Sequence, residues 1–140
     1  RAVAAACLDD GCASLSLHNR DVAKAADLAA TLADPRVRAA GLAEIKASPD
    51  AVIVNCTTLG LKPTDASPFP AEQLAAGQFV FDTTYGAEPS RLLKDARERG
   101  IAGCDGRSML RWQGALAFRR WNGMLPPDAP MRAALGESTL

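Results

Sequence analysis

Two short apolar runs restrict the fold of this chain more than any other feature. Ala51-Val52-Ile53-Val54-Asn55-Cys56 is mainly β-branched, follows the turn Ser48-Pro49-Asp50 and precedes a stretch rich in Thr, Pro and Gly. A continuous run of this kind reads as a strand buried on both faces of a parallel sheet. Phe79-Val80-Phe81-Asp82, ending in Thr83-Thr84-Tyr85-Gly86, repeats the pattern. Helical periodicity lies between and around these runs. Strands that alternate with helices imply an α/β domain: a parallel sheet with right-handed crossovers and helices on both faces, doubly wound in the Rossmann manner.

The remaining segments fill in the alternation. Ala-rich residues 1–8 favour helix from the first position, and Asp10-Gly11 closes it. Leu15–His18 reads as a strand and Asn19-Arg20-Asp21 as a turn, with Asp21 capping a helix over Val22–Leu32 that stops at Asp34-Pro35. Residues 37–42 are a candidate strand, 43–47 a helical turn and 71–75 a short helix. Pro89 opens a helix through Leu92, Leu93, Ala96 and Arg99 that Gly100 closes, and residues 101–104 form a short strand. A last helix covers 129–135.

The longest helix follows the turn Asp105-Gly106, with Ser108 as its expected cap. Met109, Trp112, Leu116 and Arg120, with Leu110, Ala117 and Trp121, recur at spacings of three and four and predict an apolar side wide enough to be core. Gln113 lies inside that side. Its carboxamide is either satisfied within the core or placed at the edge of a ligand cleft, because both ends of an amide need partners. Arg107, Arg111, Arg119 and Arg120 read as the solvated face.

Composition excludes several classes. The chain has 140 residues, enough for one domain with a real core, and 16 basic residues balance 16 acidic ones. Nucleic acid and anionic membrane are therefore not expected partners. Cys7, Cys12, Cys56 and Cys104 are scattered without a C-x-x-C pair, which predicts reduced, buried thiols in a cytoplasmic protein and no metal site. His18 is the single His, so no mechanism needing a His pair operates within this chain.

In a doubly wound domain the tip of the second strand chooses between the nicotinamide cofactors. An acidic residue there takes the ribose hydroxyls of NAD, whereas a guanidinium suits a 2′-phosphate. Arg20 stands at that tip, beside Asn19, and Lys24 lies four residues on. These residues predict NADP; the alternative is an ordinary solvated turn with a surface Lys. Asp21 opposes a phosphate unless its oxygens are committed to capping.

The segment DG-x-x-ML-x-x-Q-x-A-x-AF-x-x-W-x-G, from Asp105 to Gly123, resembles the closing segment of shikimate dehydrogenases, and the likeness runs back over nearly the whole chain. Asn19, Arg20 and Lys24 are similar to the family's Asn-Arg-Thr-x-x-Arg run, which grips the 2′-phosphate of NADP; Asp21 departs from its Thr. Residues 55–61 resemble the Asn-Ala-Thr-x-x-Gly-Met loop, and Asp82-Thr83-Thr84-Tyr85 resembles Asp-x-x-Tyr. The resemblance implies that Thr83 and Gly106 border the nicotinamide, and that Tyr85 and Gln113 contact substrate. A lone Tyr after a strand otherwise suggests amphipathic packing. Arg107 and Ser108 stand where the family has Leu-Gly.

The resemblance further implies the cofactor-binding half of an NADP-dependent enzyme of aromatic amino-acid biosynthesis that reduces 3-dehydroshikimate to shikimate. The family's proton donor is a Lys paired with an Asp on a separate N-terminal substrate domain. No residue of this chain matches it, so no catalytic residue is expected here and the chain alone is expected to be inactive. A homodimer is compatible with this reading. Arg1-Ala2-Val3 is similar to the segment following the family's Gly-rich loop, so residues 1–140 are read as an NADP-binding domain lacking its first strand and that loop, with a C-terminal helical segment from about residue 107. Two alternatives are a non-catalytic nucleotide-binding module and the cofactor domain of another dehydrogenase, either a quinate/shikimate type or one like glutamyl-tRNA reductase or methylenetetrahydrofolate dehydrogenase. Loss of a central strand should exceed the roughly 5–15 kcal/mol that holds a domain folded. Calorimetry on the isolated 140-residue chain is therefore expected to show no sharp cooperative melt of a monomer.

Overall fold

Alanine at four of the first six positions builds the opening helix by propensity, without a side-chain cap. The structure, a computed structural model, describes residues 1–136. It falls into two units, Arg1–Lys46 and Ala47–Leu140, each with its own parallel sheet.

The first unit runs α1 (Ala2–Asp9), β1 (Leu15–His18), α2 (Val22–Leu32) and β2 (Val37–Ala40), followed by a 3-10 turn over Leu42–Glu44. β1 and β2 are parallel, in register from Leu15 opposite Val37 to His18 opposite Ala40. α2 packs on both strands through a face centred on buried Ala25. It ends at Ala33 in the left-handed conformation, after which Asp34 organises the return to β2. The Asp34 carboxylate accepts from the Arg36 amide at 2.9 Å and from both ends of its guanidinium at 2.7 and 2.9 Å. Arg36 also donates to the Cys12 carbonyl, so one guanidinium joins the loop before β1 to the turn before β2.

The second unit carries β3 (Val52–Asn55), β4 (Phe79–Asp82) and β5 (Ala102–Cys104) in that spatial order, all parallel. α3 (Arg91–Glu98) packs on β4 and β5, while α4 (Arg107–Asn122) packs on α5 (Asp128–Leu135). Ile53, Val80, Leu92, Ala96 and Ile101 form the core. The strands differ from the two-sided burial expected of them. Ile53 and Val80 are buried, whereas their neighbours Val52 and Phe79 are exposed, at 64% and 38%. Successive strand residues face opposite ways, and within this unit one face has its helical cover.

Two helix starts also differ from expectation. Pro89 does not open α3: Ser90 is its cap, with Oγ accepting from the Leu93 amide at 3.3 Å, and the helix begins at Arg91. Ser108 does not cap α4 either: Asp105 Oδ1 takes the Arg107 amide at 3.0 Å, and the helix starts at Arg107, two residues sooner than a Ser108 cap would allow. On α4 the buried positions are Arg111 and Ala115, not the Trp112–Leu116 side. Arg111, expected on a solvated face, is 5% exposed, paired with Asp128 of α5 and set 5.1 Å from the Trp112 ring centre. The side tied to α5 by this pair is buried, while Trp112 and Leu116, marked as core by their spacing, stand exposed. Arg107 is also paired, while Arg119 and Arg120 are exposed as expected.

No disulfide joins the cysteines, but Cys56 and Cys104 are exposed, contrary to the expectation of burial. Among the described residues no helix is long and apolar enough to cross a membrane, and no cluster of His, Cys, Asp and Glu has metal-site geometry.

The Arg36 hydrogen bonds hold the Asp34 carboxyl down at about 2, from an ordinary 3.8. A lowered folded-state value contributes stability that is complete above the unfolded value and is lost as pH falls through the folded one. Acid titration of stability is therefore expected to fall between about pH 4 and pH 2, and Asp34→Asn should flatten that limb; chemical denaturation across the window measures it.

Candidate functional site

In an open parallel sheet, ligands bind beyond the carboxyl ends of the strands. In the second unit that end is built around Asp82, the last residue of β4, which has no solvent exposure. Register places Asn55 of β3 directly opposite. Asp82 Oδ1 accepts from Asn55 Nδ2 at 2.9 Å, from the Thr84 amide at 2.9 Å and from Thr84 Oγ1 at 2.8 Å. Oδ2 accepts from Ser90 Oγ at 2.6 Å, which ties the same carboxylate to the cap of α3.

The loop after β3 is folded onto this hub. Asn55 Oδ1 accepts from both Thr57 N and Thr57 Oγ1, and Asn55 Nδ2 also donates to the Leu59 carbonyl. Gly60 has a φ of +108°, and a Cβ there would lie 2.9 Å from Thr84 Oγ1, so only glycine fits. Asp65 accepts from the Gly60 and Lys62 amides at 3.0 Å, and these bonds hold its carboxyl below the ordinary range. Asn55 and Thr57 therefore satisfy their own loop rather than presenting free groups.

The loop after β4 is stitched to both neighbours. Thr83 donates from N and Oγ1 to the Asn55 carbonyl, and Gly106 N donates to the Thr84 carbonyl at 3.1 Å. A Cβ on Gly106 would stand 2.2 Å from the Thr83 carbonyl oxygen and 3.2 Å from Tyr85 Cδ1. Thr83, Tyr85 and Gly106 are thus brought together by direct packing. Tyr85 is 49% exposed and Gln113 is also exposed; neither side chain makes a hydrogen bond among the described residues. This overturns the core reading of Gln113. Its amide stands open on the same side of α4 as Trp112 and Leu116.

In the first unit, Asn19 and Arg20 follow β1 directly. Asn19 Oδ1 accepts from the Asp21 amide at 3.0 Å and holds the turn. Arg20 is exposed and has no ion-pair partner among the described residues, so its guanidinium is available to an anion. Lys24 lies 3.7 Å from the Asp21 carboxylate, both exposed. The expected commitment of Asp21 to capping is not observed, since its side chain makes no cap hydrogen bond. Its charge faces Lys24 instead. Sequence reasoning did not assign Asp82, Gly60, Ser90 or Asp65 a place in the site; an acidic residue ending a buried strand before two threonines was the available signal for the first.

Strands in parallel order, loops gathered at their carboxyl ends and a cation after β1 with no ion-pair partner among the described residues mark an α/β domain of Rossmann type. Residues 106–135 match the family described as the Shikimate 5'-dehydrogenase C-terminal domain. The chain is 42% identical over 137 residues to the shikimate dehydrogenase (NADP(+)) of Halobacterium salinarum, covering 96% of this chain and 50% of the relative. It is 36% identical to that of Moorella thermoacetica, covering 99% and 51%. Among solved structures it resembles shikimate 5-dehydrogenase from Thermus thermophilus in complex with NADP(H) and shikimate, with a TM-score of 0.83, 34% identity, and 96% and 49% coverage. It also resembles quinate dehydrogenase from Corynebacterium glutamicum in complex with NAD, with a TM-score of 0.85, 26% identity, and 98% and 51% coverage. Over nearly its whole length the chain is thus similar to about half of a shikimate dehydrogenase. It spans about half the length of the curated relatives it matches.

Removing the Asp82 carboxylate strands a buried amide, two hydroxyls and a carboxamide at once, and each unmet group costs about 1–3 kcal/mol. In the full-length protein Asp82→Ala is expected to lower stability by about 3–5 kcal/mol, and urea denaturation measures it.

Proposed function

We propose that this chain is the cofactor-binding half of an NADP-dependent shikimate dehydrogenase, which interconverts 3-dehydroshikimate and shikimate. The observation that carries the cofactor assignment is Arg20, an exposed guanidinium with no ion-pair partner among the described residues, two residues beyond the end of β1. Likeness to NADP(+)-dependent relatives over 96–99% of the chain supports the same choice. Arg20 would take the 2′-phosphate with Asn19 shaping the turn, and Lys24 would add a second charge, diminished by its pairing with Asp21.

NADPH supplies the hydride for the ketone. Thr83 and the bare backbone of Gly106 would border the nicotinamide, where a side chain on Gly106 has no room. Tyr85 and Gln113, both exposed and with open hydrogen-bonding capacity, would form one wall of the substrate cleft. Hydride delivery to a carbonyl also needs a proton at the forming alkoxide. No residue of this chain matches the Lys–Asp pair that the resemblance implies as proton donor, so we assign that donor, the Gly-rich turn with its strand and the substrate domain to the rest of the protein. Free edges of β1 and β3, each paired on one side only among the described residues, support a further strand. The scattered cysteines support a cytoplasmic setting.

The test is binding of 2′,5′-ADP to the full-length protein by calorimetry. Arg20→Ala is expected to weaken it about tenfold or more, as loss of a charge-assisted phosphate contact should, and to raise the KM for NADPH without changing any NADH activity. Equal losses with both cofactors would remove the assignment. Asp21→Thr should tighten 2′,5′-ADP by about threefold, because one exposed like charge leaves the phosphate site.

A further inference from the structure

The loop that presents Tyr85 is fixed firmly at its root; beyond it, one backbone hydrogen bond and an exposed Glu88–Lys94 ion pair of 3.8 Å hold it. Thr83 and Thr84 are held by Asn55, Asp82 and the Gly106 amide, through bonds of 2.8–3.1 Å. From Tyr85 to Pro89, the backbone makes one hydrogen bond among the described residues: the Gly86 carbonyl accepts from Arg107 Nη2. Arg107 is itself anchored. Its Nη1 donates to Asp105 Oδ2 at 2.6 Å, and its amide donates to Asp105 Oδ1 at 3.0 Å. Asp105 thus holds both the backbone and the guanidinium of Arg107, and leaves the other arm of the fork aimed at the loop.

The geometry points to Arg107 as a positioning residue that clasps residues 85–89 to the start of α4 and so sets where the Tyr85 hydroxyl stands. This rests on the reading that Tyr85 contacts substrate. The Tyr85 ring is half exposed, and its near edge packs beside Gly106, one residue from Arg107. Its hydroxyl makes no hydrogen bond among the described residues, so nothing at the tip of the side chain fixes it. Position is therefore controlled from the backbone one residue away. A leucine at this position would offer no donor to Gly86. In this chain the guanidinium does what side-chain packing at that position cannot. A planar fork suits the task, because one arm satisfies a carboxylate while the other reaches a carbonyl. A lysine ammonium lacks that fixed spread and serves one partner well.

The experiment uses the full-length protein with Arg107→Leu and Arg107→Lys. A substrate contact made equally in ground and transition states appears in KM rather than kcat. Arg107→Leu is expected to raise the KM for shikimate about tenfold, with kcat within about twofold and 2′,5′-ADP affinity unchanged. Arg107→Lys should fall between Leu and the native residue. NMR order parameters of the backbone at residues 85–88 should fall in the Leu variant and stay unchanged in β3 and β4. An unchanged KM, or unchanged order parameters in the loop, would overturn the proposal. A full-length protein that does not oxidise shikimate at all would overturn the functional reading instead, while the loop order parameters would still decide whether Arg107 is the clasp.

Discussion

The second unit depends on one buried carboxylate. Asp82 has no solvent exposure, and removing a charge from water is costly unless hydrogen bonds replace the lost hydration. Here the replacement is complete in number and comes from three directions: Asn55 on the neighbouring strand, Thr84 on its own loop and Ser90 at the start of α3. Because one group satisfies all three, none can shift alone. Strand register, loop path and helix entry are thereby fixed together, and the backbone close to Thr83 and Gly106 inherits that rigidity.

Local chemistry made much of the fold legible. The bounds of β1, α2 and β4 coincide with those read from strand composition, the Asp34-Pro35 stop and the run from Phe79 to Asp82. Failures came where a side chain overrode a pattern. On α4 the periodic residues Trp112 and Leu116 proposed one buried side, but the adjacent side carrying Arg111, paired with Asp128, and Ala115 is the one turned inward. An ion pair between helices seventeen positions apart in sequence has no signature in helical spacing. The starts of α3 and α4 failed for a related reason, since Ser90 and Asp105 compete with Pro89 and Ser108 and only geometry decides which reaches the open amides.

The candidate site was legible as residue types and much less as contacts. Arg20, Thr83, Tyr85, Gly106 and Gln113 were singled out, and the structure gives each a physical setting. The availability of Arg20 and the open amide of Gln113 suit the roles assigned to them. Gly106 has a reason of its own, the approach of the Thr83 carbonyl, independent of any ligand. Asp21 shows the limit of sequence reading: a capping residue by type, it leaves its carboxylate beside Lys24, which composition cannot reveal. The loop anchors Asp65 and Arg107 escaped for the same reason, because both act through backbone groups that any sequence would supply.

Both tryptophans of the chain lie on α4, with Trp112 51% and Trp121 79% exposed, and neither belongs to the buried core of the second unit. Indole emission from this chain therefore reports on the solvent side of one helix and is nearly blind to whether the sheet is intact. A molecule or domain settling over Gln113 would dry the neighbouring Trp112 ring and change its colour, whereas the loosening of Val80 or Leu92 would leave the spectrum almost as it was.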